Sequence, residues 1–316
     1  MVGSAVQTQP QSQPQSQLTE CTKGGVTLLS NVQRNTQSTA QSSAGVTFAF
    51  TTRGGGVSRP PYASCNLGMG VGDDPQAVLE NRRRVLEALG HMPLAQHLLV
   101  PSQIHSDIVC SISKPEQFDE VRQQIAEGCD AIVCTTPDVA VLLCFADCTP
   151  VVLVADSDEA VKKTNQLAAS LDATNEKLAE ATRSSRLGFA VVHSGWRGTK
   201  KRIAARALEE LCAQTGCVPS QVHAWVGPHI SAAAYEVSEE LIDSFVDDFG
   251  ESVRVGERNL DMSRAIYLTL CEAGLVSEHF YDVQRCTVGE VDTFFSYRAE
   301  HGQCGRHGAI AFMSDK

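Results

Sequence analysis

Apolar runs rich in valine, each stopping abruptly at polar residues, restrict this chain more than any other feature. AIVC (131–134) and VAVLLCFADC (139–148) have no polar alternation, and they are followed by VVLVAD (151–156) and LGFAVVHSG (187–195). A strand with one wet face alternates apolar and polar residues, so unbroken runs of this length read as strands buried on both faces. GVTFAFTT (45–52), HLLVPSQIHS (97–106), VHAWVGPHI (222–230), a segment near 279–283 and the closing residues add further strands. Between them, Val78, Val85, Leu86 and Leu89 recur at helical spacing over Asp74–Leu89. Helices are also expected at Lys201–Gln214, Glu239–Phe249 and Asp261–Ala273. Strands and helices are mixed along one chain with no Pro/Gly-rich linker, which predicts a single α/β (α+β) domain with a mixed sheet.

Two segments stand outside that pattern. Residues 1–24 alternate Gln with Ser, Thr and Pro, a composition too poor in apolar area to offset chain entropy, and are expected to lack order. VTLLS (26–30) suits an edge strand, and 31–44 a loop, so the catalytic domain is expected over 45–316 after a head at 1–44. Residues 157–186, of mixed charge with Ala and Leu, separate two core strands and read as an insertion.

Charge and cysteine usage narrow the function. The net charge of −11 argues against nucleic acid or anionic membranes as partners, while a small anionic substrate needs only a few inward arginines. No apolar run approaches the roughly 18 residues of a spanning helix. The first residues have neither the basic patch nor the apolar core of a secretory signal. Twelve cysteines without a CxxC pair read as reduced thiols of a cytoplasmic protein. Any metal site must therefore draw on distant segments.

Three strand ends deliver such residues: Gln103-Ile104-His105, Ala146-Asp147-Cys148 and His193-Ser194-Gly195-Trp196-Arg197. Strand ends hold side chains in fixed positions while the loops beyond them vary. Two histidines and one cysteine suit Zn²⁺, and three protein ligands leave a fourth position open for chemistry. Taken singly, each histidine also reads as a cap or core residue, and Cys148 as a small buried hydrophobe.

A resemblance bears on that choice. TTRGGGVS (51–58), Asn66-Leu67-Gly68, Glu80-Asn81-Arg82, SQIHS (102–106), ADCTPVVL (146–153), HSGWRG (193–198), GPHISAAAYEV (227–237), FFSYR (294–298) and Gly305-Arg306 occur in one order. Over about residues 45–313 they resemble the family long labelled multicopper polyphenol oxidase or laccase-domain proteins, understood as zinc-dependent purine nucleoside phosphorylases with adenosine deaminase activity. The resemblance implies a four-layer α-β-β-α sandwich. It also implies His105, Cys148 and His193 as zinc ligands, purine nucleosides and phosphate as substrates, and an active site bordered by the Arg53 loop.

Further assignments follow as expectations. Arg298 suits bidentate phosphate binding, or else a surface ion pair. Asp147 suits a carboxylate that orients His105 or His193, or a strand-end cap. Trp196 suits stacking on the base, or a core position. Asn66 and Asp130 enter as substrate contacts on the resemblance alone. The expected reaction is phosphorolysis of adenosine or inosine to base and ribose 1-phosphate, with zinc-assisted deamination of adenine sharing the site. A Cys148–His193 hydrolase is an alternative that does not require His105. Phenol oxidation by copper needs many paired histidines, and the nine here include no HxH pair. A scaffold role for the head and insertion is the non-enzymatic alternative.

Overall fold

The apolar runs at 131–134, 139–145, 151–155 and 187–194 become strands with both faces covered. The computed structural model describes residues 18–31, 45–155 and 187–313. In chain order the strands are β1 (Thr19–Lys23), β2 (Val26–Ser30), β3 (Val46–Thr51), β4 (Leu98–Leu99), β5 (Val109–Ile112), β6 (Ala131–Cys134) and β7 (Ala140–Phe145). They continue with β8 (Thr149–Ala155), β9 (Gly188–Ser194), β10 (Val222–Val226), β11 (Arg254–Val255), β12 (Asn259–Leu260), β13 (Phe280–Asp282) and β14 (His307–Met313). The α-helices are α1 (Pro75–Leu89), α2 (Phe118–Glu127), α3 (Trp196–Lys200), α4 (Ile203–Thr215), α5 (Glu239–Phe249) and α6 (Met262–Glu272).

Two six-stranded mixed sheets result, ordered β1-β2-β3-β14-β7-β4 and β13-β10-β8-β9-β6-β5. Strand period divides the side chains cleanly. Phe48, Phe50, Val141, Leu143 and Phe145 of the first sheet meet Val152, Val154, Phe189 and Val191 of the second in one core. The alternate residues Val151, Leu153, Ala190 and Val192 pack on Leu208 and Leu211 of α4 and on Ile266 and Leu270 of α6. On the opposite outer face, Leu142, Ile310 and Phe312 pack on Val85 and Leu86 of α1. This is the four-layer α-β-β-α arrangement that the resemblance implies. Asp74 starts α1 by accepting from Gln76 N, Pro75 occupies the first turn, and Gly90 ends it in the left-handed region.

The chain passes from one sheet to the other at Ala146-Asp147-Cys148, between β7 and β8. Asp147 takes φ 83° to make that corner. The reversal places Cys148 at the lip of the inter-sheet core, beside the end of β9 that carries His193.

Some expectations change. Thr19–Lys23, expected without order, forms β1 antiparallel to β2, with Cys21 opposite Leu28. Gly24 and Gly25, at φ 58° and 83°, form the two-residue turn that a twisted hairpin favours, and this outweighs the polar composition. Residues 1–17 and the expected insertion at 157–186 lie outside the described residues. The strand expected over 97–106 shrinks to β4, because the Gln103 side chain takes over the pairing. Its Nε2 donates to Cys144 O and its Oε1 accepts from Cys144 N, both at 2.8 Å.

His307, at the start of β14, is wholly buried, and its ring nitrogens lack a regular hydrogen bond, although the Pro228 backbone lies close enough to favour its charged form slightly. Burial drives its pKa down from 6.5 to about 3, and the Arg306 and Arg53 charges push the same way. Between those values the unfolded chain binds a proton that the native chain refuses. Stability is therefore expected to fall as pH drops from 6.5 towards 3, by about 1.4 kcal/mol per pH unit from this group. Acid unfolding of the chelated protein and of His307→Phe checks this, and the substitution is expected to flatten that part of the profile.

Candidate metal centre

The loop after β4 carries His105 into the corner formed by the β7–β8 crossing and the end of β9. His105 sits at φ 59°, a left-handed conformation costly for a residue with a Cβ. Asp130, just before β6, holds it there. One carboxylate oxygen of Asp130 accepts from His105 N at 3.0 Å, and the other from Ile104 N, Ser106 N and Ser106 Oγ at 3.3, 2.6 and 2.7 Å. The same carboxylate lies 2.7 Å from His193 Nδ1, and the Asp130 carbonyl accepts from His193 N at 2.7 Å. A single buried carboxylate thus fixes the backbone of one histidine and the ring of the other.

The ligand atoms of His105, Cys148 and His193 all lie within 4.8 Å of one another, the single such His/Cys/Asp/Glu group among the described residues. Cys148 Sγ is 3.8 Å from His105 Nε2, and the two imidazoles are nearly perpendicular at 77°. A tetrahedral ion about 2.3 Å from sulfur and about 2.0 Å from nitrogen would space those atoms about 3.6 Å apart, so the geometry fits a metal. Asp130 engages His193 Nδ1 and so turns Nε2 towards the group, the usual arrangement behind a metal-bound imidazole. Gly195 leaves the room: a Cβ there would lie 3.0 Å from the His105 ring and 3.3 Å from Cys148 Sγ.

The electrostatics suit a thiolate. Burial alone would raise the Cys148 pKa, but His193, with help from His105, holds it down at about 6. Burial likewise disfavours charge on His193, yet Cys148 and Asp130 raise its pKa to about 9. Asp130 stays ionised, its carboxyl held down to about 2 by His193 and Ser106 against burial. Asp130→Asn is expected to weaken metal binding about 10- to 100-fold, the scale for losing a carboxylate behind a histidine ligand. A chelator-competition titration measures this. An unchanged affinity would separate Asp130 from the centre.

The group forms part of a cavity of about 1030 Å³ whose wall includes Trp196, Tyr235, Tyr297 and four arginines: 82, 197, 298 and 306. Of the sequence-predicted site residues, His105, Cys148, His193, Asp147, Trp196 and Arg298 reach it. Arg53 does not. Its guanidinium donates to Ala63 O and Val291 O, pairs with Glu300 at 3.0 Å and stacks on Phe295 at 4.4 Å, so it braces the 291–300 loop. Asn66 is buried and ties Gly68, Asp73 and Arg306 together. Asp130 lies behind the histidines, where it does the orienting expected of Asp147. Asp147 instead accepts from Thr287 Oγ1 and from Arg298 N, each at 2.6 Å, and so positions the Arg298 segment. Arg82 and Arg306 were missed as lining groups, although both lie in the motifs that carry the resemblance.

The model of the family described as multi-copper polyphenol oxidoreductase laccase matches residues 47–164 and 181–314. The chain belongs to that family. Within this laccase family it is 30% identical over 279 residues to purine nucleoside phosphorylase YlmD of Geobacillus stearothermophilus, across 85% of this chain and 90% of that protein. It is 35% identical to the purine nucleoside phosphorylase of Deinococcus radiodurans, across 84% of this chain and 88% of the relative. Adenosine deaminase RL5, from an unknown prokaryotic organism, is 31% identical across 82% and 90%. The crystal structure of Geobacillus stearothermophilus YlmD superposes with a TM-score of 0.71 at 27% identity, covering 90% of this chain and all 100% of that one. Bacillus licheniformis YfiH, at 24% identity, has the same fold with a TM-score of 0.72, covering 92% and 97%.

Proposed function

We propose that the protein is a zinc-dependent purine nucleoside phosphorylase acting on adenosine and inosine, with adenosine deaminase activity at the same centre. The observation that carries this reading is one borderline-soft His–Cys–His group in a cavity with four arginines. The names of the relatives support the substrate class. Residues 45–316 form the catalytic unit in this reading, with the head and the 157–186 insertion as additions to it. All twelve cysteines are free, which supports a reducing, cytoplasmic setting. Among the described residues no helix is long and apolar enough to cross a membrane.

In phosphorolysis the bond from C1′ to the base breaks with its electrons going to the base, which takes up a proton. A phosphate oxygen then bonds to C1′. Positive charge builds on the ribose as the bond opens, and a phosphate dianion held beside it stabilises that charge. In this reading Arg298 holds phosphate, with its guanidinium donating to the Glu236 carbonyl at 3.2 Å and its backbone N donating to Asp147. Trp196 and Tyr235 line the cavity and are the aromatic groups on which a purine would stack in this reading. His105, Cys148 and His193 would hold the zinc, with Asp130 orienting His193. A zinc ion there supplies Lewis acidity and lowers the pKa of water, the chemistry that deamination shares.

A Cys148–His193 hydrolase is the second reading, favoured by a thiol near 6 beside an imidazole near 9. Copper oxidation of phenols, the sense of the family's description, calls for several metal groups, and the described residues offer one. The test is a product assay with adenosine, with and without phosphate. Free base that appears only with phosphate, and inosine in either case, supports the proposal. An absence of both products would refute it.

A further inference from the structure

We propose that Arg82 and Arg306 form a subsite for a tetrahedral oxyanion of the phosphate class, on the Cys144 side of the cavity and separate from the Arg298 guanidinium. Both arginines line the cavity, and both are anchored to one segment, Asn66–Gly68. Arg82 Nε and Nη2 donate to Leu67 O at 3.0 and 2.7 Å, leaving Nη1. The Arg306 backbone donates to Asn66 Oδ1 at 2.8 Å, and its carbonyl accepts from Leu67 N at 2.9 Å. Arg306 Nη1 is occupied by the Cys304 and Gly305 carbonyls, both at 2.9 Å, leaving Nε and Nη2. Gly68 permits the packing: a Cβ there would lie 2.7 Å from Arg306 Cγ.

The charges around the pair point to an anion. This chain carries 37 acidic residues against 26 basic ones, and elsewhere Arg53, Arg83, Arg84, Arg254 and Arg285 are each ion-paired. Neither Arg82 nor Arg306 has a carboxylate within 4.0 Å among the described residues. Cys144 lines the same cavity, and its Sγ donates to the Leu67 carbonyl that Arg82 also uses, at 3.4 Å. Both guanidinium charges act on that thiol, although burial still raises its pKa. Two half-buried cations anchored to one segment without a paired carboxylate are costly, and a dianion removes that cost. Planar forks with free N–H groups suit phosphate oxygens better than a neutral sugar hydroxyl.

The anion is either free orthophosphate or the phosphoryl group of a nucleotide. The probe is inorganic phosphate, titrated calorimetrically into the full chain in the Arg298→Ala background so that only this subsite is read. Binding is expected there, and Arg306→Gln or Arg82→Gln should weaken it about 10- to 100-fold, the scale of a lost charge-assisted contact. Glutamine can still donate to the Gly305 or Leu67 carbonyl, and Arg306→Lys, which keeps the charge but not the fork, is expected to fall between. Displacement of phosphate by adenosine 5′-monophosphate but not by adenosine identifies the esterified source. Simultaneous binding of phosphate and adenosine, with no displacement by the monophosphate, identifies the free ion. No phosphate binding in the Arg298→Ala background, or equal binding after either glutamine substitution in a chain of unchanged melting temperature, overturns the subsite. Phosphate binding that depends on Arg306, in a chain inactive on nucleosides, would refute the phosphorylase reading and leave the subsite standing.

Discussion

Alanine at His105, Cys148 or His193 is expected to remove bound metal and nucleoside cleavage together. Losing only the carboxylate behind a ligand costs about 10- to 100-fold in metal affinity. Losing the ligand itself should therefore cost on the order of 1000-fold or more, because two remaining donors cannot define a tetrahedral site. The three substitutions are not equivalent as tests. His193 and Cys148 belong to both the zinc reading and the Cys–His hydrolase reading, whereas His105 is required only by the first. Metal content and product formation measured on one preparation decide between them. A His105→Ala chain that kept full activity without metal would transfer the chemistry to Cys148 and His193.

Arg298→Ala is expected to depress phosphorolysis by about 30- to 1000-fold while sparing deamination. The scale is that of a charge-assisted contact to a developing charge, about 2–4 kcal/mol. Deamination consumes water and no phosphate, so it is the internal control. Lysine at this position should restore only part of the rate, since an ammonium cannot reproduce a two-pronged contact. Inosine and free base formed from adenosine at varied phosphate give both rates in one experiment. Equal loss of both would mean that Arg298 positions the nucleoside, or only braces the Glu236 carbonyl it touches.

How far these residues could be read in advance differed by kind. His105, Cys148 and His193 were legible because each ends or follows an apolar run, and a run that stops at a polar residue marks the rim of a core. The two-sided burial of β7, β8 and β9 was legible for the same reason. Asp130 was not. It stands between Cys129 and the apolar β6, and only the return of the 104–106 backbone against it reveals five hydrogen-bond partners. Arg53 was expected at the active site because the resemblance implies that its loop borders it, but a glycine-rich loop does not declare which way its arginine turns. Here it turns to Glu300 and Phe295. The β1 strand was obscured by the composition of its neighbours, although the Gly24-Gly25 turn signalled a hairpin. Arg82 and Arg306 lie more than two hundred residues apart in sequence. Only the Asn66–Gly68 segment joins them.

The most direct measurement is metal analysis of the purified protein together with its activity as metal is withdrawn and restored. The account predicts about one zinc per chain and negligible copper. Phosphate-dependent release of base from adenosine should fall in step with zinc removal and return when zinc is added back. Several coppers per chain with a strong blue absorbance, or full phosphorolysis after zinc removal, would contradict it.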